Sequence, residues 1–246
     1  MVNALWWKMN YWNDRNFEGL RELAGELGGR VGFEGLAEYC RLREAGLRRQ
    51  AFAALDVFLG EAAGWDPQKA RDGCLSILEL HERSPGVHQL LTQPLVARFV
   101  MPTLKAWVAA EPEEAIALTW MGVFSGDTRW YERALAVTPG NVMARRRLVD
   151  HHLHGVEYAT HHLVESRLLG DLRETRAKLK RAQELLQAAV EREGFEDLVA
   201  ETEFFEKLLS DWEGYLGTRE GTFPEWCKAR GRRYQWPGIF YYQRNG

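Results

Sequence analysis

The sequence is short of the residues that most often mark a function. Its 246 residues include three cysteines, far apart and without a C-x-x-C pair, so neither a disulfide framework nor a cysteine-based metal site is expected. No apolar run reaches the roughly 18 to 20 residues that cross a bilayer, and the first residues lack the basic region and cleavage site of a secretory signal. We therefore expect a cytoplasmic protein without a membrane partner.

Residues that favour strands are also scarce. Isoleucine occurs three times and leucine 31 times, and straight-chain residues favour helices. With 46% hydrophobic and 27% charged residues, the chain is expected to fold. We predict one all-α domain over 1–246. A possible subdivision near 111 gives N-terminal helices (1–110), repeat-like hairpins (111–218) and an aromatic, basic tail that packs back (219–246).

Breaker residues predict where several helices begin and end. Asp66-Pro67 and Glu111-Pro112 each place an acidic side chain before a proline, which is typical of a helix start, and Gly170-Asp171 combines a stop with a new start. Apolar residues then repeat at three and four positions over 172–189 and 195–216, which predicts a hairpin of two amphipathic helices. Such a hairpin buries its apolar stripes only against further helices.

One segment carries a family resemblance. Within 113–148, the second predicted helix resembles the tetratricopeptide repeat through an aromatic residue, an Ala-Leu pair, a proline and an asparagine, here Tyr131, Ala134, Leu135, Pro139 and Asn141. The resemblance implies helical hairpins stacked as a degenerate tetratricopeptide-like repeat array or a compact α-α superhelix, and protein–protein interaction without catalysis. No 34-residue period runs through the chain, so a non-repeating helical domain is the alternative.

A histidine cluster follows this segment, with five of the seven histidines in twelve residues. On a helix, Asp150, His154, Glu157 and His161 share one stripe, a donor set that suits Zn²⁺ or another divalent transition metal. No catalytic signature is present. The alternatives are a solvated flank without a cofactor, or acid–histidine pairs that make the helix sensitive to pH.

Basic residues concentrate around the same cluster. Residues 141–181 contain nine bases against five acids, so an acidic protein or peptide partner would be favoured if these side chains converge; otherwise they form a solvated face. The residues predicted to contact the partner are Arg145, Arg146, His152, Tyr158, His162, Arg173 and Arg176.

The two ends of the chain are rich in aromatic residues, which we expect to lie in the core rather than on a recognition surface. The tail from Lys228 has five bases and no acids, whereas 191–225 has a net charge of −8, so the tail is expected to pack on this acidic neighbour. Binding of single-stranded nucleic acid is the alternative. The net charge of −3 and the absence of a nucleic-acid motif argue against it.

Two functions follow from these patterns. The first is a non-catalytic cytosolic adaptor, accessory or immunity-type protein that binds a partner segment in a helical groove, with no cofactor. The second is a metal-dependent helical-bundle enzyme that uses the stripe at 150–161. The sequence leaves the oligomeric state open.

Overall fold

The computed structural model describes residues 14–190 and 193–235, and the regular elements within them are all helical. This confirms the all-α prediction. None of the helices in this part of the chain combines the length and the apolar character needed to cross a bilayer. The chain divides into two compact units, separated between Gly126 and Asp127, whereas the sequence suggested a possible division near 111.

The first unit contains helices joined by short turns. α2 packs on both α1 and α3, and α6 packs on α4 and α7. The elements are α1 (Asp14–Gly28), α2 (Glu34–Glu44), α3 (Arg48–Ala62), α4 (Pro67–Arg83), α5 (Gln93–Leu95), a π-helical segment (Val96–Val100), α6 (Met101–Ala110) and α7 (Ala115–Ser125).

An aromatic cluster and a close helix approach organise this unit. The rings of Phe33, Phe58, Trp65 and Phe99 lie 5.6–5.8 Å apart between centroids, mostly edge to face, an arrangement that aromatic quadrupoles favour. Beside it, α2 approaches α3 at Gly35, where a Cβ atom would lie 2.9 Å from the Phe58 backbone nitrogen. The absence of a side chain at this position therefore permits the packing of α2 on α3.

We expect Gly35→Ala to lower the free energy of unfolding by about 1–3 kcal/mol, because backbone atoms of α3 would have to move. The matched control is Gly60→Ala on α3, where a Cβ atom meets nothing within 4 Å; it should stabilise by about 0.5–1 kcal/mol through helix propensity. Urea unfolding of both variants measures the difference. Equal changes in the free energy of unfolding for the two variants would show that α2 and α3 leave room for a side chain at position 35.

Two predicted helix starts have different outcomes. Asp66 is the N-cap of α4, and its carboxylate accepts a hydrogen bond from the Lys69 N–H at 2.9 Å, as predicted. The start at Glu111-Pro112 is wrong: α7 begins at Ala115, with Glu114 as its N-cap. The reason is that the Glu111 carboxylate pairs with Arg71 and accepts from the Trp107 indole, which holds 111–114 in a turn.

The second unit is built around one long helix, which packs on three others. α9 contacts α8, α10 and α11, and α12 packs on α11. The elements are α8 (Thr128–Val137), α9 (Val142–Thr160), a 3₁₀ turn (Leu163–Glu165), α10 (Leu172–Gln187), α11 (Glu196–Thr218) and α12 (Phe223–Ala229).

The residues that carry the tetratricopeptide resemblance lie on either side of the α8–α9 turn. Tyr131 and Ala134 are buried on α8, Pro139 follows the end of the helix, and Asn141 caps α9 by accepting from the Ala144 N–H at 2.9 Å. α7 belongs to the first unit and α8 to the second. The tetratricopeptide-like repeat array therefore stays a prediction.

The described part of the basic tail lies against α11. The Tyr234 hydroxyl donates to Asp211 Oδ2 at 2.5 Å, and Arg232 Nε lies 3.3 Å from Asp211 Oδ1. Trp226 is buried against Tyr215. The other aromatic residues at the two ends, in 1–13 and 236–246, are outside the described residues, and so is any prediction about their packing.

Candidate functional site

Three of the predicted partner-contacting arginines hold the second unit together. Arg145 on α9 is buried, and its guanidinium donates to the Leu185 carbonyl at 2.7 Å and to the Pro139 carbonyl at 2.6 Å. Leu185 lies in the last turn of α10, where carbonyls lack donors within the helix. Arg145 therefore caps α10, a position where the helix dipole favours a cation, and its guanidinium is buried and hydrogen-bonded within the unit.

Arg146 and Arg176 connect two further helix pairs. Arg146 donates to the Gly194 carbonyl at 2.7 Å and pairs with Asp197 at the start of α11. Arg176 on α10 contacts α11 through Glu206, Ser210 and Glu213 at 2.7–3.0 Å. α9, α10 and α11 are thus linked in pairs by one arginine each.

We expect Arg145→Met to lower the free energy of unfolding by about 2–3 kcal/mol, because the buried bond to the Leu185 carbonyl and the part-buried bond to the Pro139 carbonyl both lose a charged donor. Arg173→Met is the matched control, since Arg173 is exposed on the first turn of α10; it should change stability by less than about 0.5 kcal/mol. Chemical denaturation followed by circular dichroism compares them. A destabilising Arg173→Met with a neutral Arg145→Met would contradict these roles.

The predicted metal stripe runs along the solvent side of α9. His154 Nδ1 lies 3.5 Å from Glu157 Oε2, and His161, just past the helix, has Nδ1 2.6 Å from the Tyr158 carbonyl oxygen. Asp150 is partly buried towards α11. Among the residues that the structure describes, no three or more His, Cys, Asp or Glu side chains form a group that could hold a metal ion. The structure thus does not bring the four stripe residues together as ligands.

On the α11 side of α9, four carboxylates converge; we call Asp150, Glu157, Asp197 and Glu201 the acidic flank. The pKa of Glu201 is raised to about 6, first by burial and then by the negative charges of Glu157, Asp150 and Asp197, while the charge of Arg146 opposes this shift. Burial also raises the pKa of Asp150. The pKa of Asp197 is lowered, because the Arg146 guanidinium donates to its carboxylate. The acidic flank thus concentrates negative charge, which the positive charge of Arg146 only partly compensates.

We expect Glu201→Gln to raise the free energy of unfolding by about 1–2 kcal/mol at pH 8. Because the folded pKa exceeds its ordinary value of 4.5, the wild type gains stability as the pH falls through about 6, and the two proteins should converge below about pH 4.5. Glu203→Gln on the exposed side of α11 is the control, expected to be neutral. Urea titrations at several pH values test this, and a destabilising Glu201→Gln at pH 8 would refute it.

On the α10 side of α9, basic side chains converge; we call His151, His152, Lys178 and Arg181 the basic flank. The side chain of Lys178 lies across Gly155, where a Cβ atom would be 2.9 Å from Lys178 Cδ. The His151 and His152 rings are 5.5 Å apart. Burial, then the charges of His151, Arg181 and Lys178, lower the pKa of half-buried His152.

Lys178 and Arg181 are among the nine bases of 141–181, but the residues predicted on α10 were Arg173 and Arg176. The register explains the difference. Arg145 reaches Leu185 and Gly155 underlies Lys178, so α9 and α10 run antiparallel with His152 opposite residues 178–181. Lys178 and Arg181 flank the buried Leu179 and Ala182. Basic residues that border the buried stripe of a helix lie beside the helix on which it packs, and this pattern in the sequence would have indicated Lys178 and Arg181.

Between the two flanks lies an exposed ridge. Tyr158 is 63% exposed, and its ring is 5.4 Å from that of His161, which in turn lies 4.2 Å from the His162 ring. His162 Nδ1 is 3.0 Å from Glu165 Oε1. Of the predicted partner residues, His152, Tyr158, His162 and Arg173 are thus on the surface around α9, whereas Arg145 is buried and Arg146 and Arg176 pair with α11.

Comparison of the chain with protein-family models, with curated proteins and with solved structures gives no match. The tetratricopeptide resemblance rests on the residues within 113–148. The surface of α9 is therefore the feature from which a function can be inferred.

Proposed function

We propose that this is a cytosolic, non-catalytic protein-interaction protein whose basic flank binds an acidic segment of a partner. The observation that carries the proposal is the convergence of Lys178 and Arg181 on His152, next to an exposed tyrosine. Arginine and lysine pair with carboxylates, and tyrosine supplies a rigid apolar contact with a polar tip. The tetratricopeptide resemblance supports the same class of function.

The distribution of charge explains why this surface is available. Arg145, Arg146 and Arg176 pair within the unit, whereas Lys178 directs its stem over α9 and Arg181 lies 3.4 Å from Glu184 on its own helix. An exposed pair of this kind contributes little to stability. An incoming carboxylate therefore competes with weak contacts rather than with structural ones.

We expect a fluorescein-labelled oligoglutamate peptide to bind, with its affinity falling as salt screens the charges. Lys178→Glu combined with Arg181→Glu should weaken binding by roughly tenfold or more. Fluorescence anisotropy measures the affinities.

The matched control is Lys207→Glu with Lys228→Glu, which makes the same change in net charge at exposed positions on α11 and α12. It should retain most of the affinity. The proposal is wrong if the wild type does not bind the peptide, or if the two double variants lose affinity equally.

A further inference from the structure

The solvent face of α9 carries opposite charges on its two sides. Glu157 marks the acidic side, and Gly155, over which Lys178 lies, marks the basic side. At about 100° per residue, these two positions are about 160° apart around the helix. His154 and Tyr158 fall between them. Beyond Glu157 the acidic flank continues onto α11 with Glu201, and beyond Gly155 the basic flank continues onto α10 with Arg181.

We propose that a second copy of this chain occupies this face, with the acidic flank of each copy on the basic flank of the other. The proposal rests on the proposed function, because it identifies the acidic partner segment as the acidic flank of another copy. Both charge patterns needed for the interface are present on one surface, as a self-complementary contact requires.

Symmetry restricts how the two copies can meet. A twofold axis parallel to α9 exchanges the left and right sides of the face, so each basic flank meets an acidic one and the two α9 helices run parallel. A twofold axis lying in the interface and across α9 would place basic on basic and acidic on acidic, which is repulsive. The first arrangement also places equivalent positions of the two ridges, including Tyr158, opposite each other.

The size of the face sets the expected strength. α9 has 19 residues, hence a length of about 28 Å, and with α10 and α11 about 8–10 Å away the face covers roughly 500–600 Å². This is below the roughly 800 Å² per partner of a standard interface. We therefore expect a weak dimer that depends on salt, with Tyr158 as its central apolar contact.

A charge-swap experiment tests the interface in the full chain by sedimentation velocity at low salt. The base-reversed variant is Lys178→Glu with Arg181→Glu, and the acid-reversed variant is Glu157→Lys with Glu201→Lys. Each alone should be monomeric, with dimerisation weakened by roughly tenfold or more. Mixed together, they should form a heterodimer, because one face then carries a net negative charge and the other a net positive charge. If the acid-reversed protein fails to fold, Glu157→Lys alone replaces it, since Glu157 is exposed.

A cysteine cross-link tests the symmetry. The native cysteines at 40, 74 and 227 are buried, so Tyr158→Cys introduces an exposed thiol near the proposed axis. Oxidised glutathione should convert it into a disulfide-linked dimer, whereas Val57→Cys, at an exposed position on α3, should remain monomeric. Equal cross-linking of the two variants would contradict the arrangement.

The second copy is not the partner if the wild type is monomeric at concentrations up to roughly 100 µM at low salt. The same follows if both reversed variants dimerise like the wild type, or if the mixture of folded variants stays monomeric. A monomer that still binds oligoglutamate through Lys178 and Arg181 would overturn the dimer and leave the proposed function standing. A monomer that binds no oligoglutamate would overturn both.

Discussion

A buried guanidinium determines how the helices of the second unit are arranged. Arg145 donates from α9 both to the last turn of α10 and to the turn before α9. A buried charged donor tolerates little displacement, because loss of its bonds leaves the guanidinium unpaired in the interior. The antiparallel register of α9 and α10 is thereby defined. The contacts of Arg146 and Arg176 then hold α11 against both helices.

The surface charge of α9 is a consequence of this register. Asp150 and Glu157 face α11, which adds Asp197 and Glu201, while His152 and Gly155 face α10, which adds Lys178 and Arg181. Neither flank exists on α9 alone. Each one is completed by a neighbouring helix, so a chain with a net charge of only −3 has one helix bordered by sides of opposite charge.

Sequence signals between neighbouring residues predict many of the helices but few of the contacts in the candidate site. Caps such as Asp66 and Asp171, and the apolar stripes of α10 and α11, depend on residues close in sequence, and the structure has these elements where they were predicted. The helix start predicted at Glu111 is wrong because the Glu111 carboxylate pairs with Arg71, 40 positions away. The role of Arg145 also depends on a residue 40 positions away, Leu185. The sequence does not distinguish an arginine that caps a distant helix from one that is exposed.

Gly155 shows how the interior and the surface of this unit are connected. Glycine within a helix costs about 0.5–1 kcal/mol relative to alanine, yet here it leaves a shallow channel in which the aliphatic stem of Lys178 rests. A methyl group at this position would force the Lys178 side chain to move, without altering a single charge in the sequence. The volume of one uncharged residue therefore affects where a positive charge is displayed on the surface of this unit.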